Sequence, residues 1–248
     1  MKQLGFGLVE RGFATLRYDK RGVAASRAAG KREEDLVFDD FIADTVGWIE
    51  LLRKDERFSS VSVLGHSQGA LVTAAAGQRT KIETYISIAG PGVPFQDSLK
   101  RQLGTKLFFF KEEAFGIIDE LAAGREVKKV PDTLQTIFRP SVHKFLSSWM
   151  KYDPAKEVGA LKVPVLIVQG TLDIQITVED AKLLAESNSS AELVIIVGMN
   201  HTLKKCASRA DQVAAYNDPS VPVMAELVDK IDQFLTANLP DAESDRSK

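Results

Sequence analysis

The chain has 248 residues, of which 44% are hydrophobic and 27% are charged, with a net charge of −2. This composition is ordinary for a globular protein and excludes wholesale disorder, and the length suits one large α/β domain or a smaller domain with an insertion. The nearly balanced charge gives no electrostatic reason to expect nucleic acid or an anionic membrane as a partner. A single cysteine, Cys206, excludes an intramolecular disulfide.

Neither a membrane span nor a signal peptide is predicted. No apolar run approaches the length of about 18 residues that a membrane-spanning helix needs. The first nine residues lack the sustained apolar stretch and the cleavage site of a secretory signal. We therefore expect a cytoplasmic protein.

Short apolar runs alternate with amphipathic stretches along the chain. Runs rich in leucine and β-branched residues are typical of strands that are buried on both faces of a parallel sheet. The predicted strands are residues 13–18, 61–64, 85–88, 165–168 and 193–197, and the predicted helices are residues 35–54, 70–76, 177–187 and 222–239. This alternation predicts a doubly wound, mostly parallel α/β sheet.

Residues 91–160 interrupt the alternation. No clear strand is predicted there, and the stretch 108–149 holds seven of the 19 aromatic residues of the chain. We predict a mostly helical insertion at 91–160, between two parts of one core at residues 1–90 and 161–240. The polar residues 241–248 are predicted to form a flexible tail.

A candidate nucleophile lies directly after the second predicted strand. Residues 65–69 read Gly-His-Ser-Gln-Gly and fit the G-x-S-x-G pattern, in which a strained strand-to-helix turn exposes a serine hydroxyl. This pattern makes Ser67 the candidate nucleophile. A side chain at either Gly65 or Gly69 is expected to collide with the neighbouring strand or helix. The alternative is a glycine-flanked strand end that carries an ordinary serine.

A serine nucleophile needs a base, and the chain has only three histidines. His66 adjoins the candidate nucleophile, but its side chain leaves the turn in another direction. His143 lies in the predicted insertion. His201 follows the last predicted strand, at the end of the sheet where parallel strands place catalytic groups, and it is the candidate base. The alternative for His201 is an ordinary loop histidine.

A carboxylate is needed to orient the base. Asp173 follows the strand at 165–168 and is the candidate. Glu179 and Asp180 are rivals, but they fall in a predicted first helical turn, where the helix dipole explains acidic residues without catalysis. The chain order of serine, aspartate and histidine is then that of α/β-hydrolases.

The sequence resembles the α/β-hydrolase superfamily, and more narrowly its esterase and dipeptidyl-peptidase-like serine hydrolases. The matching stretches are residues 17–23, 64–69, 88–92, 168–175 and 200–204. The resemblance implies an acyl-enzyme mechanism with Ser67 as nucleophile, His201 as base and Asp173 as its orienting acid. It also implies that residues 91–160 form a cap over the site.

The sequence departs from the family at its N-terminus. Members usually carry further strands upstream, with a glycine-rich loop that supplies one oxyanion N–H. Here residues 13–18 resemble the fourth strand of the family, and Gln68 supplies the one recognisable oxyanion donor. We expect either an N-terminally truncated product, or a true start upstream, or direct pairing of 13–18 with 61–64. An open sheet edge would favour self-association and low turnover.

The expected function is hydrolysis of carboxylic esters with small to medium acyl or aryl groups. Phe108 and Phe109 are candidate substrate-binding residues, because aromatic side chains of the predicted insertion could shape an acyl pocket. An acyl thioesterase or acyltransferase would use the same catalytic residues, and a catalytically weak, hydrolase-derived binding protein is the alternative from another class. No metal or cofactor is expected, since the chain has no cluster with metal-ligand spacing and no phosphate-binding loop.

Overall fold

A computed structural model of the chain describes residues 1–104, 108–208 and 211–240. The predicted tail at 241–248 lies outside the described residues. Four strands form one parallel sheet in the order β1-β2-β3-β4. They are β1 (Val63–His66), β2 (Tyr85–Ile88), β3 (Val165–Gly170) and β4 (Ala191–Ile196).

Helices separate and flank these strands. The α-helices are α1 (Lys2–Val9), α2 (Phe38–Arg53), α3 (Gln68–Gly77), α4 (Phe95–Gly104), α5 (Lys111–Ala122), α6 (Gln135–Phe138), α7 (His143–Trp149), α8 (Pro154–Gly159), α9 (Val178–Ser187), α10 (Gln212–Asn217) and α11 (Ala225–Asn238). Short 3₁₀ helices span Ala24–Ala29, Glu33–Asp35, Phe108–Phe110, Asp132–Leu134 and Pro140–Val142.

The sheet is covered on both faces, as the doubly wound prediction requires. Side chains alternate between the two faces of a strand. Ile86 and Leu166 lie in a buried cluster with residues of α1 and α11. Tyr85 directly precedes Ile86 in β2, and its hydroxyl donates a hydrogen bond to the carbonyl of Ala70 in α3 (2.9 Å). Helices α1 and α11 therefore cover one face, and α3 the other.

The apolar patterns locate most elements within a few residues. β2 has the predicted bounds, and β3 continues through Gln169 and Gly170. The strand predicted at 61–64 runs instead from Val63 to His66. The sequence predicted that Gly65 would end this strand. A glycine still carries a backbone N–H and a carbonyl, and Gly65 remains in the parallel pairing, where its partner is Ser87 of β2.

The prediction of a strand at residues 13–18 is wrong. This segment pairs with no strand in the part of the chain that the structure describes, and so it does not pair with β1. Its contacts are with helices instead. The Thr15 hydroxyl lies 3.5 Å from the carbonyl oxygen of Gly5 in α1. The Tyr18 ring stacks on Trp48 of α2, with ring centroids 5.7 Å apart. An apolar alternating pattern indicates an extended backbone but does not specify its neighbour.

The chain divides into two compact units. The first contains Met1–Tyr18, Thr45–Gly92 and Ala155–Lys248, and it includes the whole sheet. The second contains Asp19–Asp44 and Val93–Pro154, and its described residues form helices and no strand. It has a buried apolar cluster of its own, built on residues such as Ile118, Leu134 and Phe138. These bounds differ from the predicted insertion, and a cap at 91–160 stays a prediction.

None of the helices in the three described ranges combines the length and the apolar character that crossing a membrane requires.

The start of α9 shows how a short sequence signal sets a helix boundary. The Thr177 hydroxyl accepts a hydrogen bond from the Asp180 N–H (3.2 Å), and the Asp180 carboxylate accepts one from the Thr177 N–H (2.9 Å). These reciprocal bonds satisfy backbone donors that the first helical turn leaves without partners. These bonds explain why the helix begins after Thr177, as predicted. It also ends at the predicted residue, Ser187.

We expect Thr177→Ala to lower the free energy of unfolding by about 1 kcal/mol, because the capping hydroxyl is lost. Urea denaturation measures the change. The matched control is Thr236→Ala, an exposed threonine within α11, which we expect to change stability by less than about 0.5 kcal/mol. Equal losses in the two variants would contradict the capping account.

Candidate active site

Ser67 occupies the single-residue turn between β1 and α3. Its backbone has φ 54° and ψ −125°, a conformation that costs a non-glycine residue roughly 1–3 kcal/mol. Two backbone bonds hold the turn, one from the Ser67 N–H to the carbonyl of Ile88 (3.0 Å) and one from the Ala70 N–H to the carbonyl of Ser67 (3.0 Å). The strained turn therefore places the serine at the carboxyl end of β1, which pairs with β2 in parallel.

The two glycines of the motif have different roles. A Cβ at Gly65 would lie 2.3 Å from the carbonyl oxygen of Gly69 and 2.5 Å from Cα of Ala70, so no side chain fits there. A Cβ at Gly69 would meet nothing within 4 Å. The expectation of a collision at both positions is therefore wrong for Gly69, which lies in the first turn of α3 with open space beside it.

A hydrogen-bonded chain runs from Ser67 through His201 to Asp173. The Ser67 Oγ lies 3.1 Å from Nε2 of His201, and Nδ1 of His201 lies 2.7 Å from Oδ2 of Asp173. The side chains of His201 and Asp173 are 7% and 0% exposed. The structure thus brings together the three residues that the sequence singled out, from loops that follow β1, β3 and β4.

The Asp173 carboxylate is held by further donors. Its Oδ1 accepts hydrogen bonds from the N–H groups of Gln175 (2.8 Å) and Ile176 (3.0 Å). Its Oδ2, which faces His201, also accepts one from Nε2 of Gln169 (3.2 Å). A buried carboxylate with several donors is fixed in both position and orientation, which orients the imidazole in turn.

The rival carboxylates have other partners. Asp180 is buried in the capping box of α9, and its Oδ1 also accepts a hydrogen bond from the Gly92 N–H (3.1 Å). Glu179 pairs with Lys182 at the surface, at 2.8 Å. Each contact accounts for its residue structurally, whereas Asp173 contacts the candidate base.

The loop that carries His201 is built by its neighbours. The Asn200 side-chain oxygen accepts hydrogen bonds from the N–H groups of Thr202 and Lys204, both at 3.0 Å. Leu203 takes a positive φ of 67°, which closes the turn. The buried Lys204 donates through Nζ to the carbonyl of Ala215 (2.7 Å) and so ties the loop to α10. Asn200 and Lys204 lie in a stretch that resembles the family, but their positioning contacts were not predicted.

His66 makes a contact that its place in the motif does not reveal. Its Nε2 lies 2.8 Å from the backbone carbonyl oxygen of His201, and the two ring centroids are 4.8 Å apart. Burial, and secondarily the nearby His201, lowers the pKa of His66 to about 4. His66 is therefore neutral near pH 7. Because a carbonyl oxygen only accepts, Nε2 of His66 carries the hydrogen.

The remaining predicted site residues lie in two places. Gln68 opens α3 directly after Ser67, and the N-terminus of a helix favours negative charge. Phe109 belongs to the second compact unit, where its side chain is 86% exposed. The side chain of Phe108 lies outside the described part of the structure. The oxyanion role of Gln68 and the substrate-binding roles of Phe108 and Phe109 stay predictions.

Among the described residues, no group of three or more His, Cys, Asp and Glu is placed to hold a metal ion.

We expect Gly65→Ala to destabilise the protein by roughly 3 kcal/mol and to distort the turn at Ser67, because the methyl group would overlap backbone atoms of α3. Gly69→Ala is the matched control. It should leave stability unchanged or raise it by about 0.5–1 kcal/mol, as expected for glycine replaced by alanine in a helix. Thermal and urea unfolding measure both changes. A Gly65→Ala variant as stable as the parent would contradict the steric account.

The chain is similar to a protein family and to a known esterase. The family described as serine aminopeptidase, S33, matches residues 1–107. Esterase EstD from Thermotoga maritima is 27% identical over 209 residues, which cover 82% of this chain and 48% of EstD. This chain therefore spans about half the length of EstD.

Two solved esterase structures share the architecture. Est1E from Butyrivibrio proteoclasticus, solved with ferulic acid bound, superposes with a TM-score of 0.63 at 17% identity, covering 96% of this chain and 82% of that chain. Esterase PF2001 from Pyrococcus furiosus superposes with a TM-score of 0.61 at 19% identity, covering 97% of this chain and 75% of that chain. At such identities a structural likeness shows the fold. The chain therefore has the α/β-hydrolase fold.

Proposed function

We propose that this chain hydrolyses carboxylic esters through an acyl-enzyme formed on Ser67. One observation carries the proposal: the continuous hydrogen-bonded chain from Ser67 Oγ through both ring nitrogens of His201 to Asp173. A serine hydroxyl is a weak nucleophile on its own and needs an oriented base within hydrogen-bonding reach. The similarity to esterases supports an ester rather than another acyl compound as the substrate.

The geometry fits a two-step reaction. The N–H at Nδ1 of His201 donates a hydrogen bond to Asp173, so Nε2 carries no hydrogen and can act as the base. Nε2 takes the proton of Ser67 Oγ as this oxygen attacks the ester carbonyl. His201 then passes the proton to the leaving alcohol, and the acyl group stays on Ser67. In the second step His201 takes a proton from water, the resulting hydroxide attacks the acyl carbon, and Ser67 recovers its hydrogen.

Charge develops at two points in each step, and each has a candidate stabilising group. The buried Asp173 carboxylate stabilises the imidazolium form of His201 without taking up its proton. The N–H of Gln68, at the N-terminus of α3, is the proposed donor to the oxyanion of the tetrahedral intermediate. Removing one such donor costs an acyl-transfer enzyme about 10²–10³ in rate, so this amide is a substantial part of the proposal.

We further propose that residues 91–160 act as a cap and select the acyl group, with Phe108 and Phe109 in contact with the substrate. The support comes from the concentration of aromatic residues in this segment and from the resemblance to capped α/β-hydrolases. The same catalytic residues would serve a thioesterase. Parallel assays of one acyl group as its p-nitrophenyl ester and as its thioester distinguish the two activities.

We expect Ser67→Ala to lower kcat for p-nitrophenyl acetate at least about 10³-fold while leaving the far-ultraviolet circular dichroism unchanged, because the hydroxyl reacts but packs little. The matched control is Ser59→Ala, an exposed serine in the same compact unit, which should keep the parent kcat. Activity retained by the Ser67 variant would refute the nucleophile.

Phe109→Ala should change the order of preference among p-nitrophenyl esters of different acyl length more than it changes the rate on the acetate ester. Because the Phe109 side chain is 86% exposed, its removal should cost little stability, and a changed preference would report on substrate contact. Phe6→Ala removes a half-exposed aromatic ring from α1 and is the control. An unchanged order of preference would contradict the substrate-binding role of Phe109.

A further inference from the structure

We propose that His66 is a positioning residue for His201, and that it holds the backbone of the catalytic base in place through a hydrogen bond from its ring to the His201 carbonyl. This role rests on the proposed function. It also explains a residue of the nucleophile motif that the acyl-enzyme mechanism leaves without a task.

The bond connects two members of the catalytic site. His66 is the last residue of β1 and is bonded covalently to Ser67. Its Nε2–H donates to the carbonyl oxygen of His201 at 2.8 Å, while Nε2 of His201 lies 3.1 Å from Ser67 Oγ. The nucleophile and the base are therefore linked twice, once through their reacting atoms and once through the His66 side chain and the His201 backbone. The second link involves none of the reacting atoms, so it can persist while the proton of Ser67 moves.

His201 needs such a support because it lies in a loop. The preceding strand β4 ends at Ile196, and the loop continues through the Asn200 turn to Leu203, which has a positive φ. The known supports of this loop act beside His201, through Asn200 and Lys204. The bond from His66, at the end of β1, reaches the backbone carbonyl of His201 itself. A shift of about 1 Å in a reacting group can cost roughly 10²-fold in rate.

His66 can serve this purpose because it is neutral. Burial is the main cause that lowers its pKa to about 4, followed by the effect of His201. The other charged groups that act on it are the amino group of Met1 and the Asp173 carboxylate. During the reaction His201 becomes a cation, with its ring 4.8 Å from that of His66. A second cation at this distance would oppose that charge, whereas a neutral imidazole still donates its one hydrogen to the carbonyl.

The test compares His66→Asn with His66→Gln in p-nitrophenyl acetate hydrolysis. A glutamine side chain carries its amide nitrogen about as far from the backbone as Nε2 of histidine, and an asparagine side chain is too short. We expect His66→Asn to lower kcat about 10–100-fold, with KM changed by less than about twofold. His66→Gln should keep kcat within about threefold of the parent. Neither the parent nor the His66→Gln variant carries a cation at position 66 near neutral pH. The pH at which kcat falls on the acid side should therefore be the same in both.

His143 provides the matched control. Its Nε2 lies 2.7 Å from the carbonyl oxygen of Phe138, so it makes the same kind of bond within the second compact unit. His143→Asn should lower the melting temperature without lowering kcat for the acetate ester. A His66→Asn variant with the parent kcat would overturn the positioning role. Equal losses in folded His66→Asn and His66→Gln would overturn it too.

Folding of the variants is checked by circular dichroism, and each result leads to a decision. If His66→Asn does not fold, His66→Gln decides alone: activity within about threefold of the parent supports the role, and a loss of tenfold or more overturns it. A parent chain without esterase activity would overturn the proposed function and this role together. An active parent with insensitive His66 variants would overturn the role of His66 only.

Discussion

The turn at Ser67 is the constraint on which the site depends. One residue joins β1 to α3, and it does so at φ 54°, which leaves no room for a side chain at Gly65. The parallel ladder between β1 and β2 and the bond from the Ser67 N–H to Ile88 hold this strained conformation. The same turn presents the serine hydroxyl and places the first N–H of α3 beside it. A relaxed turn would separate these two groups, so the strain is part of the proposed mechanism.

The side chains of Asp173, Asn200 and His201 lie beside the turn, and each is buried and hydrogen-bonded. Asp173 receives two backbone N–H groups and the Gln169 amide, and this leaves its Oδ2 directed at His201. Asn200 closes the turn behind His201, and the neutral His66 holds the His201 carbonyl. In a site of low dielectric such contacts are strong when they are satisfied and costly when one partner is lost. The arrangement favours a preorganised site, which is what electrostatic stabilisation of a transition state requires.

Local signals in the sequence were enough to predict four of the helices (α2, α3, α9 and α11) and four of the five predicted strands to within a few residues. They also predicted the convergence of Ser67, Asp173 and His201. These signals are short range: an apolar period, a capping box, and a polar residue that follows a buried strand. They could not predict the neighbours of residues 13–18, because an alternating pattern does not say against what an extended segment packs. They also missed the positioning contacts of Gln169, His66 and Lys204, which become visible only when the chain is folded. The clash at Gly65 and the open space at Gly69 are likewise properties of the packed turn, since both glycines look alike in the motif.

The central claim is that His201 activates Ser67 as a nucleophile. It is tested most directly by reaction with a fluorophosphonate, followed by mass spectrometry of the digested protein. The account predicts one adduct per chain, located on Ser67, and a labelling rate that falls about 10³-fold or more when His201 is replaced by alanine. Folded protein that does not react, or an adduct on another residue, would contradict it. So would labelling of Ser67 at an unchanged rate without His201.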